Sequence, residues 1–299
     1  EKQSTRIAQS LIKELVEDQK CFSTLDGAVA FGQACAANVV YEDCHEPQPF
    51  VGQAAVTEHI KNKVELRKGK GDVRIDRISD GNTACGFAWT WISGSEEGLR
   101  GTTFVELNSN GEIQYVREIP EPLYKPGDLT LELLKAVTKD AEPKPPAQYQ
   151  KKTPTKANEV AKYLFLEVQG GDVDESMRLF SDSIVYRDFN YEEPLQGKAE
   201  VRKFIEDFSF PGITFRPERF CDGVDSTCFT WDVCLDGVED TVKGISFYEL
   251  DPETRLITYV RDVPESAIKP APLGKIARSL RPGLGVFKGV PIGSRPGGK

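Results

Sequence analysis

Apolar positions in the first part of the chain follow two rhythms. Ile7, Leu11, Ile12, Leu15 and Val16 recur at helical spacing and predict a helix over residues 5–17. A small-residue stretch at 25–36 predicts a second helix, leading into a strand at 39–43. After Pro49 and Gly52, the apolar Val56, Ile60 and Val64 share one face of a third helix over 54–64. Beyond a basic turn at 67–71 the period shortens to two. Strands are predicted at 73–78, 83–92, 101–107 and 112–118, with Asn108-Ser109-Asn110-Gly111 a strong hairpin signal before the last. Period two also places Phe87, Trp89 and Trp91 on one strand face.

This programme is written twice. Tyr41, Asp43, Pro49, Gly52, Val56 and Ile60 return as Tyr186, Asp188, Pro194, Gly197, Val201 and Ile205, each 145 positions later. Asp80-Gly81 returns as Asp222-Gly223, Phe87-x-Trp89 as Phe229-x-Trp231, and Tyr115-Val116-Arg117-Glu118 as Tyr259-Val260-Arg261-Asp262. A repeat of this length reads as two copies of one helix-then-strand unit, an α+β class. The organisation read from it is a first repeat at 1–127, a linker at 128–156, a second repeat at 157–272 and a tail at 273–299. The linker is rich in Pro and Lys and holds a short helix over 129–139; the rest of it is a semi-rigid extended segment. The tail carries six basic residues, no acidic ones and seven Gly, too little to bury a core of its own.

Composition narrows the function classes. The net charge of −9 argues against general nucleic-acid binding. No run approaches the roughly 18 apolar residues of a membrane span, and the polar start carries no signal- or transit-peptide pattern. Seven Cys without a CxxC pair read as small buried apolar residues in a reducing compartment, and with only two His no metal site is expected. No cofactor is expected either, because Gly69-Lys70-Gly71 lacks the Gly-rich frame of a phosphate loop.

Two helices, a strand, a helix and a strand meander, with an Asp nine residues before a Gly that opens the third helix, resemble the nuclear transport factor 2-like cone fold. That superfamily includes ketosteroid isomerase, scytalone dehydratase and the SnoaL-like polyketide cyclases. The resemblance implies two tandem cones, each a curved antiparallel sheet wrapped on about three helices. The ending of the second repeat, VKGISFYEL followed by YVRDVPESAIKP, is similar to plastid-targeted members in plants and algae. That similarity implies a chloroplast location and an accessory role in a photosynthetic complex.

The resemblance also implies site residues. Asp43 and Asp188 stand at the isomerase's catalytic-base position, with Tyr41 and Tyr186 on the same strand faces. The isomerase's oxyanion-hole Asp falls on Thr103 and Ser246, and its Tyr falls near Gln19 and on Leu164, so the donors that usually contribute most are absent. Each candidate has a structural alternative. Asp43 and Asp188 are bases or turn-fixing strand ends. Trp89, Trp231, Phe87, Phe229, Thr103 and Ser246 line a pocket or fill a core. Arg117 with Glu118, and Arg261 with Asp262, hold an anionic ligand at a pocket rim, or form cross-strand ion pairs on the outer face. Two functions stay open. One is a non-catalytic interaction or assembly protein, an intramolecular pseudo-dimer that binds a protein partner through its basic tail. The other is a SnoaL-like isomerase, cyclase, dehydratase or carrier for a small apolar ligand.

Overall fold

The structure is a computed structural model that describes residues 7–67, 70–143, 145, 147–236 and 241–266. The first repeat opens with α1 (Ala8–Lys13), which continues as a π-helical turn to Asp18. Next come α2 (Leu25–Ala34), β1 (Cys35–Asp43), the short β2 (Phe50–Val51) and α3 (Gln53–Leu66). The meander is β3 (Asp72–Ile78), β4 (Ala84–Ser93), β5 (Glu96–Leu107) and β6 (Ile113–Pro120). After α4 (Asp128–Val137), the second repeat runs through α5 (Ala157–Lys162) with its π-helical turn to Val168, α6 (Val173–Arg178), β7 (Phe180–Asp188), β8 (Leu195–Gln196) and α7 (Lys198–Phe208). It closes with β9 (Ile213–Phe220), β10 (Ser226–Leu235), β11 (Val242–Leu250) and β12 (Ile257–Pro264).

Local chemistry explains the helix starts. Thr24 caps α2 by accepting from the Gly27 N–H at 3.0 Å, and Asp172 caps α6 by accepting from the Glu175 N–H at 2.9 Å. Gly52 and Gly197 enter α3 and α7 at φ of +91° and +80°, a conformation that explains why glycine recurs at this step.

Each repeat forms a six-stranded sheet, in the orders β2-β1-β6-β5-β4-β3 and β8-β7-β12-β11-β10-β9. The fold is α+β, two tandem curved sheets with helices. The pairs are antiparallel except β1 with β6 and β7 with β12, which are parallel. Register shifts at Ile75/Arg77, Thr90/Ile92 and Thr230/Trp231 bend the strands, as bulges do. Gly101 and Gly244 lie under the rings of Trp89 and Trp231; a Cβ there would come within 2.4 and 2.0 Å of ring carbons. That close approach lets each indole lie flat inside its sheet.

Helices and sheet of each repeat enclose separate cores, around Phe31, Ile60 and Phe87 in the first and Tyr163, Phe229 and Tyr248 in the second. A third cluster lies between the repeats, where Phe104, Tyr115 and Ile119 meet Ile245, Phe247 and Val263. The outer sheet faces therefore pack on each other. Polar contacts around this cluster obey the repeat's own symmetry. Asp80 accepts from the N–H groups of Val224, Asp225 and Ser226, and Asp222 accepts from those of Asn82 and Thr83. Arg77 pairs with Glu249 and stacks over Tyr259, while Arg219 pairs with Glu106 and stacks over Tyr115. The linker does not hang free of the second repeat. Gly127 N–H donates to the Asn190 carbonyl, and Tyr149 Oη–H donates to Asp172 at 2.6 Å. The basic tail at 273–299 lies outside the described residues.

Candidate functional site

Strand alternation points Tyr41 and Asp43 of β1 into the first cone, where β6 adds Glu118 and α3 adds His59 and Lys63 one helical turn apart. The five side chains form one network. Lys63 Nζ donates to Asp43 Oδ2 at 2.9 Å and to Glu118, Tyr41 donates to Glu118, and His59 Nε2 lies 3.1 Å from Asp43 Oδ2. The His45 N–H donates to the other Asp43 oxygen. Burial alone would raise the Asp43 pKa, but the Lys63 ammonium and these donors overcome it and hold the carboxyl far below its usual range. Burial lowers and the two carboxylates raise the Lys63 pKa; the carboxylates win. The first cone thus carries its own cation. The space left beside Trp89 and Glu118 is about 10 Å³, roughly one water's worth.

The second cone repeats the anions without the cation. Tyr186 donates to Asp262, Ser246 donates to the other Asp262 oxygen, and Trp231 Nε1 donates to Ser246 at 2.8 Å. Asp188 accepts from the Asn190 N–H at 2.7 Å. Among the described residues no lysine, arginine or histidine pairs with either carboxyl. Burial, with Asp262 adding to it, raises Asp188 to about 7 against the pull of Asn190 and Lys125. Burial likewise raises Asp262 to about 6, opposed by its bonds from Ser246 and Tyr186. At neutral pH Asp188, raised to about 7, is about half protonated, so it can give or take a proton.

The other candidates divide between the cone interiors and the face between the repeats. Trp89 donates to Thr103 at 3.0 Å as Trp231 does to Ser246, and all four lie in the cone interiors with the buried Phe87 and Phe229. Arg117 and Arg261 do not stand at a pocket rim: Arg117 makes a cross-strand ion pair on the outer face, with Glu42 of β1, whereas Arg261 makes no ion pair among the described residues. Arg117 is 1% exposed and binds Glu42 at 2.7 Å, Glu218 at 3.1 Å and the Trp231 carbonyl at 3.1 Å. Arg261 binds Thr102 at 2.7 Å and the Gly101 carbonyl at 3.2 Å, and stacks on Phe189. Both join one repeat to the other, because alternation turns each arginine outward and its neighbour, Glu118 or Asp262, inward. Sequence reading missed those two inward carboxyls as site groups. The period-two rule would have found them.

A larger hollow of about 290 Å³ lies between linker and second repeat, lined by Tyr149, Asp172, Asp174 and Arg202 among others; it reaches neither carboxyl pair. Among the described residues, no group of three or more His, Cys, Asp or Glu is placed to hold a metal ion, and no helix is long and apolar enough to cross a membrane.

Residues 160–259, within the second repeat, match the SnoaL-like domain family. No curated protein matches the chain. Solved structures similar to part of it include a candidate ketosteroid isomerase from Kribbella flavida, with 22% identity over 38% of this chain and 82% of that one, at a TM-score of 0.33. A candidate SnoaL-like isomerase from Agrobacterium tumefaciens has 22% identity over 38% of this chain and 97% of that one, at 0.33. A steroid delta-isomerase from Pseudomonas aeruginosa has 15% identity over 40% of this chain and 85% of that one, at 0.31.

Proposed function

We propose that the protein is a non-catalytic interaction or assembly protein, built as an intramolecular pseudo-dimer of two cones separated by the 128–156 segment. The observation that carries this reading is an apolar helix face left exposed among the described residues. Leu129, Leu133 and Val137 recur every four residues along α4 at 46, 57 and 52% exposure, and Leu123 and Tyr124, in the loop before it, are exposed too. An exposed apolar face of this kind marks a protein contact. The closed first cone agrees with it, since a cone filled by its own lysine is a structural part. In this reading the basic tail adds a second contact to the same partner, and the protein is an accessory subunit of a plastid complex. The plastid assignment rests on the sequence similarity of the second repeat's ending.

The test is native isolation from the source cell followed by mass spectrometry of the intact particle, with Leu133→Glu and a chain lacking 273–299 as comparisons. Recovery in a defined complex that both changes weaken, at unchanged melting temperature, supports the reading. A free monomer carrying a small apolar molecule overturns it.

A second reading is favoured by Asp188 and Asp262. A buried carboxyl raised to about 7 suits a SnoaL-like acid/base reaction or a carrier role for a small apolar ligand, with Asp188 the proton-transfer group, Tyr186 the donor and Trp231 the wall. Turnover of an enolisable apolar ketone that Asp188→Asn abolishes, with folding intact, would establish it.

A further inference from the structure

The two cones differ most at two helix positions. His59 and Lys63 of α3 correspond to Phe204 and Phe208 of α7 at the constant offset of 145. Ring contacts confirm the equivalence: Tyr41 and His59 have centroids 5.5 Å apart, and Tyr186 and Phe204 have centroids 5.4 Å apart. In the first cone the Lys63 ammonium bridges Asp43 and Glu118. In the second, Asp188 and Asp262 keep the tyrosine donor and lose the ammonium.

Access differs as well. Asp43 and Glu118 are 6 and 3% exposed, whereas Asp188 and Asp262 are only half-buried. Beside them runs an aromatic series. Phe204 lies 6.0 Å from Tyr191 and 4.8 Å from Phe208, in addition to its contact with Tyr186.

We propose that the second cone binds a primary alkylammonium group, carried by a small amine or by a lysine side chain, between Asp188 and Asp262. The first cone is the internal template, because equivalent side chains on equivalent strands already hold an ammonium there. Aromatic faces beside the carboxyls favour a cation over a neutral ligand. Once both carboxyls are ionised, a site this far buried needs a countercharge.

Among the described residues, no neighbouring cation takes that place. Lys125 acts on Asp188 through its field, but its ammonium bonds Glu121 at 2.6 Å and sits over Phe189. On α7, Lys203 pairs with Asp207 and Arg202 with Asp174 and Glu206. Tyr191 donates to Asp128, and Tyr248 is buried in the core behind the pair. Arg261, next to Asp262 in sequence, points to the first repeat. This proposal goes beyond the interaction reading and does not depend on it.

The test uses the full chain at pH 8, with n-butylammonium and Nα-acetyl-lysine amide as probes and n-butanol as the uncharged control, followed by titration calorimetry. Binding of butylammonium assigns the site to free amines; binding of the lysine amide alone assigns it to lysine side chains. Either supports the proposal if butanol fails to bind. Asp262→Asn should weaken the bound probe by at least about tenfold. Phe208→Lys should abolish binding by supplying the missing ammonium from within, and raise the melting temperature. It keeps the test decisive should Asp262→Asn fail to fold. Equal behaviour of butylammonium and butanol, or amine binding unchanged in Phe208→Lys, would overturn the proposal.

Discussion

Replacing Lys63 with Met removes the cation of the first cone and leaves Asp43 and Glu118 in place, 6 and 3% exposed. Breaking a buried ion pair from one side costs about 3–5 kcal/mol. In a His59→Gln background, which removes the ring 3.1 Å from Asp43 that could otherwise take up the charge, the cone has one escape, which is for a carboxyl to take up a proton. Protonating one carboxyl of ordinary pKa 3.8 at pH 7 costs about 4 kcal/mol, and at pH 4.5 about 1 kcal/mol. The smaller of the two costs sets the loss, so Lys63→Met in that background should destabilise by about 3–4 kcal/mol at pH 7 and by about 1 kcal/mol at pH 4.5. The sign follows from proton counts. Wild-type Asp43 is depressed, so its contribution is present above about pH 4 and is lost as the pH falls below that. In the variant the folded state holds a proton that the unfolded chain releases, so its stability falls as the pH rises from about 4 to 7. Urea unfolding at the two pH values measures both losses, and adding Glu118→Gln should restore most of the loss at pH 7. A loss under about 1 kcal/mol at pH 7, or one independent of pH, would refute the reasoning.

The other expectations concern the second cone and the face between the repeats. Asp188, raised to about 7, keeps a proton that the unfolded chain gives up, so wild-type stability should decline from about pH 4 to 7. Asp188→Asn should flatten that decline and be more stable than wild type by about 2 kcal/mol at pH 8, after discounting for partial exposure, with near equality at pH 4.5; thermal melts across this range check it. Arg117→Met takes one buried guanidinium from Glu42, Glu218 and Asp232 together; Glu42, which burial pushes up and Arg117, Lys243 and Tyr115 hold down to about 2, keeps only the last two. The substitution should cost about 3–5 kcal/mol in urea unfolding and separate the single transition into two.

Much of this architecture is legible in the sequence because the repeat is its own control. Matched Tyr, Asp and Gly positions locate β1, β7 and the glycine-led starts of α3 and α7 in both halves. Strand alternation places Asp43 and Asp188 inward beside their tyrosines. The difference between the cones was also within reach, since the same offset that matches Ile60 with Ile205 sets Lys63 against Phe208. Reading the repeat only for identities hides it. Arg117 and Arg261 are a different case. Glu42, the cross-strand partner of Arg117, lies on the same sheet, but the partners of both arginines in the other repeat lie more than 100 positions away, and no local pattern says which faces of two cones will meet. The parallel pairing of β1 with β6 likewise depends on the crossover through α3, a long-range fact.

The contrast between a cone that supplies its own ammonium and a cone that lacks one is tested most directly by carboxyl-detected NMR titration of Asp43, Asp188 and Asp262 in the full chain. The expected result is Asp188 and Asp262 titrating near 7 and 6, with Asp43 ionised down to the lowest pH at which the fold survives. Asp188 and Asp262 both ionised at pH 5, like surface carboxylates, would contradict it.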